Sequence, residues 1–144
     1  HEVLQDLQDY SNAGQAFGLE IYPAGTVIFK EGETGDFAFQ ILEGYVEIYV
    51  DILGEQKVVA TRGQGEVVGE LAILYKGVRS ASVRSVTKVT AKIMTERTIG
   101  KELEKLDPWV GQMLTSLSRK VMESHEATVA AERASSENNP SPFA

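Results

Sequence analysis

The order of apolar and polar residues changes character twice along the chain, and each change predicts a different kind of structure. In the first ten residues, HEVLQDLQDY, the apolar side chains Val3, Leu4, Leu7 and Tyr10 recur at helical spacing. Ser11-Asn-Ala-Gly14 then breaks the pattern, which predicts a short leading helix. From Leu19 to Met94 the apolar residues fall instead into short β-branched and aromatic runs, punctuated by Gly25, Gly32, Gly35, Gly44, Gly54, Gly63, Gly65, Gly69 and Gly77. The runs 37–42 and 45–50 abut at Glu43-Gly44, and Asp51-Ile-Leu-Gly-Glu55 turns the chain into Lys57-Val-Val-Ala60, so consecutive hairpins are expected. About eight short strands in some 75 residues favour a closed barrel or jelly roll, because closure removes sticky strand edges.

Beyond Met94 the period returns to one near 3.6. Ile99, Leu103 and Leu106 predict a short helix, and Asp107-Pro108 supplies a cap and a first-turn proline for a longer one. Along the long helix Val110, Leu114, Leu117, Val121, Ser124 and Thr128 alternate steps of four and three, the spacing of a coiled-coil seam. The alternative use of its apolar residues is to cap the chain's own barrel. Trp109 is assigned to core packing and His125 to solvent. The expected fold is mainly β with flanking helices: an eight-stranded jelly-roll β-barrel over about 19–95, a short N-terminal helix, an internal helix between two strands, and two C-terminal helices over about 97–133. One domain then spans 1–133, and the stretch ASSENNPSPFA at 134–144 reads as a polar tail or linker.

Composition narrows the chemistry. The 144 residues carry a formal charge of −7, which argues against a sequence-independent grip on nucleic acid or on an anionic membrane surface. There is no cysteine, so disulfides, thiolate metal sites and thiol catalysis are excluded. That usage is compatible with a reducing cytoplasm, the expected location. No window approaches the roughly 20 apolar residues that cross a bilayer. The two histidines, His1 and His125, lie outside the expected barrel, so no metal site is expected and a cupin-like metal enzyme is disfavoured. No nucleophile and base stand in a recognisable arrangement, and no catalytic residue is assigned.

The stretch GELAILYKGVRSASV, Gly69 to Val83, is the one place where a carboxylate and a guanidinium flank a short apolar run. It joins a strand ending near Val68 to one beginning near Ser80. A helical turn in Gly69–Leu74 exposes backbone N–H groups to an anion. Arg79 adds a permanent charge with a planar fork suited to phosphate oxygens, and the N–H groups of Ser80 and Ala81 and the Ser80 hydroxyl can join it. Glu70 would repel that anion, so its place is on a neutral donor such as a sugar hydroxyl. A Glu and an Arg at this spacing more often form a weak surface ion pair, and the wider pattern has to decide.

That pattern resembles the cyclic-nucleotide-binding domain family, which includes the bacterial catabolite gene activator protein, the regulatory subunits of cyclic-AMP-dependent protein kinase and cyclic-nucleotide-gated channels. Gly25-Thr-Val-Ile-Phe-Lys-Glu-Gly32 resembles the family's early glycine-flanked hairpin, Gly35-Asp-Phe-Ala-Phe-Gln-Ile-Leu-Glu-Gly44 its next strand and turn, and GELAILYKGVRSASV its phosphate-binding cassette. The resemblance implies a regulatory sensor whose ligand is a cyclic nucleotide, with no other cofactor. Arg79 then takes the exocyclic oxygens of the cyclic phosphate and Glu70 the ribose 2′-hydroxyl, while Gly69, Leu71, Ala72, Ser80 and Ala81 complete the cradle. Leu71, Ala72 and Val83 keep the sugar face dry, although Leu71 and Val83 serve equally well as barrel core. A serine after the arginine leans the choice of base towards cyclic AMP over cyclic GMP.

In family members that dimerise, the long helix pairs with its mate and lends polar side chains to the base. This makes a homodimer through that helix the expected assembly and Ser124 and Thr128 the candidate base contacts. Direct DNA binding is not expected, since only a polar tail follows the helix; the chain reads either as a free-standing sensor or as a piece of a larger protein fused to an output domain. The rival reading is a scaffold or dimerisation domain of the same fold that has lost its ligand, against which the presence of both Glu70 and Arg79 argues.

Overall fold

The computed structural model describes residues 17–138. The leading helix expected from Val3 to Tyr10 and the segment 139–144 lie outside them. Eight strands are formed: β1 (Phe17–Tyr22), β2 (Val27–Phe29), β3 (Phe37–Glu43), β4 (Val46–Ile52), β5 (Glu55–Arg62), β6 (Val67–Val68), β7 (Ser82–Ser85) and β8 (Val89–Thr95). A helical turn, α1 (Ala72–Lys76), sits between β6 and β7, and α2 (Glu96–Glu104) and α3 (Pro108–Asn138) follow the last strand. The strands build two four-stranded sheets, ordered β1-β8-β3-β6 and β2-β7-β4-β5, and every pairing is antiparallel. This is the expected jelly roll.

One expected hairpin is absent. β3 pairs with β6 and β8, and β4 with β5 and β7, so Glu43-Gly44 is a corner where the chain changes sheets. Gly44 makes the corner possible: its φ is 88°, and a Cβ there would stand 2.2 Å from the Lys88 carbonyl oxygen. The β4–β5 hairpin does form. Leu53 (φ 53°) and Gly54 (φ 89°) both take the left-handed conformation that a tight two-residue hairpin turn requires, and the Gly54 N–H donates to Asp51 Oδ1 at 2.7 Å.

Between the sheets the alternation of the strands gathers Phe29, Phe39, Ile41, Val46, Val68, Val83, Val89 and Ala91 into one apolar core. A second cluster, Val50, Ala81 and Val129, ties α3 to β4 and to the segment before β7. On α3 the buried side chains are Ser118, Met122 and Val129, spaced as one helical face. Burying Met122 is worth about 1.5–3 kcal/mol, whereas exposed ion pairs such as Lys57–Glu132 (2.6 Å) and Arg133–Glu31 (3.1 Å) contribute about 0.2–1 kcal/mol each. Apolar packing therefore docks α3, and the ion pairs add little to it.

At both of its ends α3 differs from expectation. Trp109 is 61% exposed and packs into no core. The helix also runs on through 134–138, residues read as tail; after its first residue, Pro108, the sequence has no proline until Pro140. Among the described residues no helix is long and apolar enough to cross a membrane, and no cluster of histidine, aspartate or glutamate could hold a metal ion.

Candidate ligand site

The connection from β6 to β7 is stitched to the loop between β2 and β3. The Arg79 N–H donates to the Glu33 carbonyl at 2.8 Å, the Gly32 N–H to the Arg79 carbonyl at 2.9 Å, and the Gly35 N–H to the Gly77 carbonyl at 2.7 Å. The Ser82 hydroxyl accepts from the Glu31 N–H at 2.9 Å. These bonds hold the returning arm of the connection against the barrel. Its outgoing arm starts at Gly69, whose φ of 88° turns the chain out of β6, and α1 closes with Gly77 at φ 74°. With only five residues, α1 is one wide turn and not a helix long enough to offer its terminus to an anion.

A cavity of about 390 Å³ opens beside this connection. All eight residues assigned to the ligand from the sequence line it: Gly69, Glu70, Leu71, Ala72, Arg79, Ser80, Ala81 and Val83. Phe29, Ile48, Val59 and Val68 add apolar wall, while Val121 and His125 of α3 reach it from the far side. Ser124 and Thr128 line a neighbouring cavity of about 480 Å³ that shares Val59, Val121 and His125 with the first. The candidate base contacts thus stand one step further along α3 than the phosphate end. Thr128 Oγ1 donates to the Ser124 carbonyl at 3.0 Å.

Arg79 is 2% exposed. Its Nη1 donates to the Gly69 carbonyl at 2.9 Å and its Nη2 to the Phe37 carbonyl at 2.6 Å, while Nε–H is buried with no partner among the described residues. Burial lowers its pKa from the usual 12.5, and the charges of Asp36 and Glu33 act in the opposite direction. A guanidinium remains charged under these conditions. A buried donor without an acceptor costs about 1–3 kcal/mol. The residues present therefore suit a small anion joined to a hydroxyl-bearing group within reach of Glu70.

His125 was assigned to solvent from the sequence and is not there. It is half-buried, and its Nε2 lies 3.0 Å from the Ser80 carbonyl oxygen, so α3 contacts the cassette directly. Arg62, at the end of β5, is a further cavity residue the sequence reading missed. The stretch of α3 facing outward includes Met113, Leu117 and Val121, each about half exposed, with Ser124 and Thr128 in continuation.

Fold and site together define a jelly-roll module with a cavity between the β6–β7 connection and α3. Comparison with known proteins makes the assignment specific. Residues 19–105 match the model of the cyclic nucleotide-binding domain. The regulatory subunit of cAMP-dependent protein kinase from Emericella nidulans is 40% identical over 90 residues, covering 60% of this chain and 21% of that protein. The cyclic AMP receptor protein of Thermus thermophilus is 35% identical over 71 residues, covering 49% of this chain and 33% of that one. Among solved structures, the cAMP-bound form of the EAL enzyme Bd1971 superposes with a TM-score of 0.72 at 27% identity, covering 79% of this chain and 30% of that chain, and its cGMP-bound form with a TM-score of 0.69. The chain belongs to the cyclic nucleotide-binding domain family and is a regulatory, cyclic-nucleotide-sensing domain. It spans about a fifth to a third of the length of the two curated relatives named above.

Proposed function

We propose that the chain binds one cyclic nucleotide in the cavity between the β6–β7 connection and α3, with cyclic AMP favoured over cyclic GMP. The observation that carries this reading is that Arg79 and Glu70 line a single cavity together with Gly69, Ser80 and Ala81. In this arrangement Arg79 takes the exocyclic oxygens of the cyclic phosphate, Glu70 accepts from the ribose 2′-hydroxyl, and Leu71, Ala72 and Val83 exclude water from the sugar. The base extends towards α3, where Ser124, Thr128 and His125 are the polar groups at hand. The preference for cyclic AMP is supported by the serine after Arg79 and by the names of the fungal and Thermus relatives.

Signalling follows from which elements the ligand bridges. A nucleotide touching both the cassette and α3 favours the arrangement in which the two are close, and it shifts the population by its differential affinity for that arrangement. The outward stripe of Leu117, Val121, Ser124 and Thr128 is the surface for a homodimer through α3, so a Leu117→Glu variant is expected to sediment as a monomer without loss of melting temperature. The domain itself carries out no reaction, has no cofactor besides its ligand, acts in the cytoplasm, does not bind DNA directly, and works on a fused or separate output domain.

The test is a titration of the chain with cyclic AMP and with its 2′-deoxy analogue. Loss of a hydrogen bond to a charged acceptor costs about 1.5–3 kcal/mol, so the analogue is expected to bind roughly ten- to 150-fold more weakly. Equal affinities would show that Glu70 does not read the ribose.

A further inference from the structure

Arg79 is a buried cation without a counter-ion: among the described residues no carboxylate lies within ion-pair distance of it, and Asp36 and Glu33 influence it only through space. Aromatic rings surround it instead. Its guanidinium carbon lies 3.8 Å from the centroid of the Phe29 ring and 4.8 Å from that of Phe37. The two rings stand edge to face, 6.1 Å apart at 79°. Two glycines make room for it, since a Cβ on Gly35 would come within 3.0 Å of the guanidinium carbon and one on Gly69 within 2.7 Å of Nη1.

A carboxylate partner would orient the arginine and cancel its charge. A ring also orients it, through the attraction of a cation for the negative face of the π system, yet brings no net charge of its own. We propose that Phe37, together with Phe29, is a positioning residue for anion binding by Arg79: the two rings fix the guanidinium plane and leave its positive charge unspent for the phosphate of the ligand. The proposal rests on Arg79 being the phosphate-binding group. It adds a specific reason for an aromatic residue at the first position of β3, where a strand needs only an apolar or β-branched side chain.

Phe37 is the ring to change. Phe29 belongs to the barrel core, so its truncation also costs stability, whereas Phe37 is half-buried and its backbone carbonyl keeps accepting from Arg79 Nη2 whatever side chain it carries. The experiment compares wild type, Phe37→Leu and Phe37→Tyr by calorimetric titration with cyclic AMP and by the NMR signal of the Arg79 Nε–H, with melting temperatures recorded for each. Phe37→Leu is expected to bind roughly three- to thirtyfold more weakly and Phe37→Tyr to stay within about twofold of wild type. The Arg79 Nε–H signal, displaced by ring currents, should move in Phe37→Leu and hold in Phe37→Tyr. Unchanged affinity in Phe37→Leu, or an equal loss in both variants, overturns the cage. No binding of cyclic AMP by wild type overturns the phosphate role of Arg79 and the purpose of the cage with it, a result distinct from binding that ignores the ring.

Discussion

His125 and Ser80 join α3 to the β6–β7 connection: Nε2 of the α3 histidine lies 3.0 Å from the carbonyl oxygen of the residue that follows Arg79. Ligand and helix therefore compete or cooperate at one stretch of backbone. Removing the imidazole in His125→Ala should loosen α3 over the cavity and speed ligand release. A net hydrogen bond of about 0.5–1.5 kcal/mol corresponds to a roughly two- to tenfold faster dissociation rate, read by stopped-flow displacement of a fluorescent cyclic nucleotide. An unchanged rate would mean that the contact does not hold the helix.

Gly35 offers a steric test of how tightly the arginine is boxed. A methyl group there would sit 2.5 Å from Ala72 Cβ and 3.0 Å from the guanidinium carbon of Arg79, so both the α1 turn and the arginine have to shift. Gly35→Ala is expected to lose about 1–3 kcal/mol of stability in urea denaturation and to bind cyclic AMP more weakly. Gly18→Ala, where a Cβ meets nothing within 4 Å, is the control for the general effect of adding a methyl.

Tyr22 gives the pH dependence a sign. Burial raises its pKa above the usual 10.0, and the charge of Glu20 raises it further. The folded state thus favours the protonated phenol, and the stability it contributes is whole below pH 10 and is lost as pH climbs through the folded pKa. Tyr22→Phe should therefore show a shallower loss of stability above pH 10 than wild type when denaturation midpoints are compared. Parallel curves for the two proteins would contradict the burial of the phenol as the cause.

Much of this was legible because the relevant signals are local. Glycine spacing and β-branched runs announce the barrel, and Glu70 and Arg79 sit on one connection, so a short stretch of sequence contains most of the cavity wall. What escaped depends on contacts distant in sequence. Glu43-Gly44 reads as a hairpin because nothing nearby shows that Gly44 must clear the Lys88 carbonyl. Phe29 and Phe37 read as strand residues, and only the fold turns their rings onto Arg79. His125 lies off the seam of α3 and reads as solvent-facing from the sequence alone. The recurrence of Ser118, Met122, His125 and Val129 on one face was the signal that could have turned it inward.

The central claim is that Arg79 holds a ring-closed phosphate in the cavity it shares with Glu70. The direct measurement is calorimetry of wild type and Arg79→Ala against cyclic AMP, cyclic GMP and linear AMP side by side. The account predicts one cyclic nucleotide per wild-type chain, weaker binding of linear AMP, and a loss of roughly ten- to 150-fold for cyclic AMP in Arg79→Ala. Heat no different from dilution for both cyclic nucleotides, or an Arg79→Ala variant that binds as well as wild type, would contradict it.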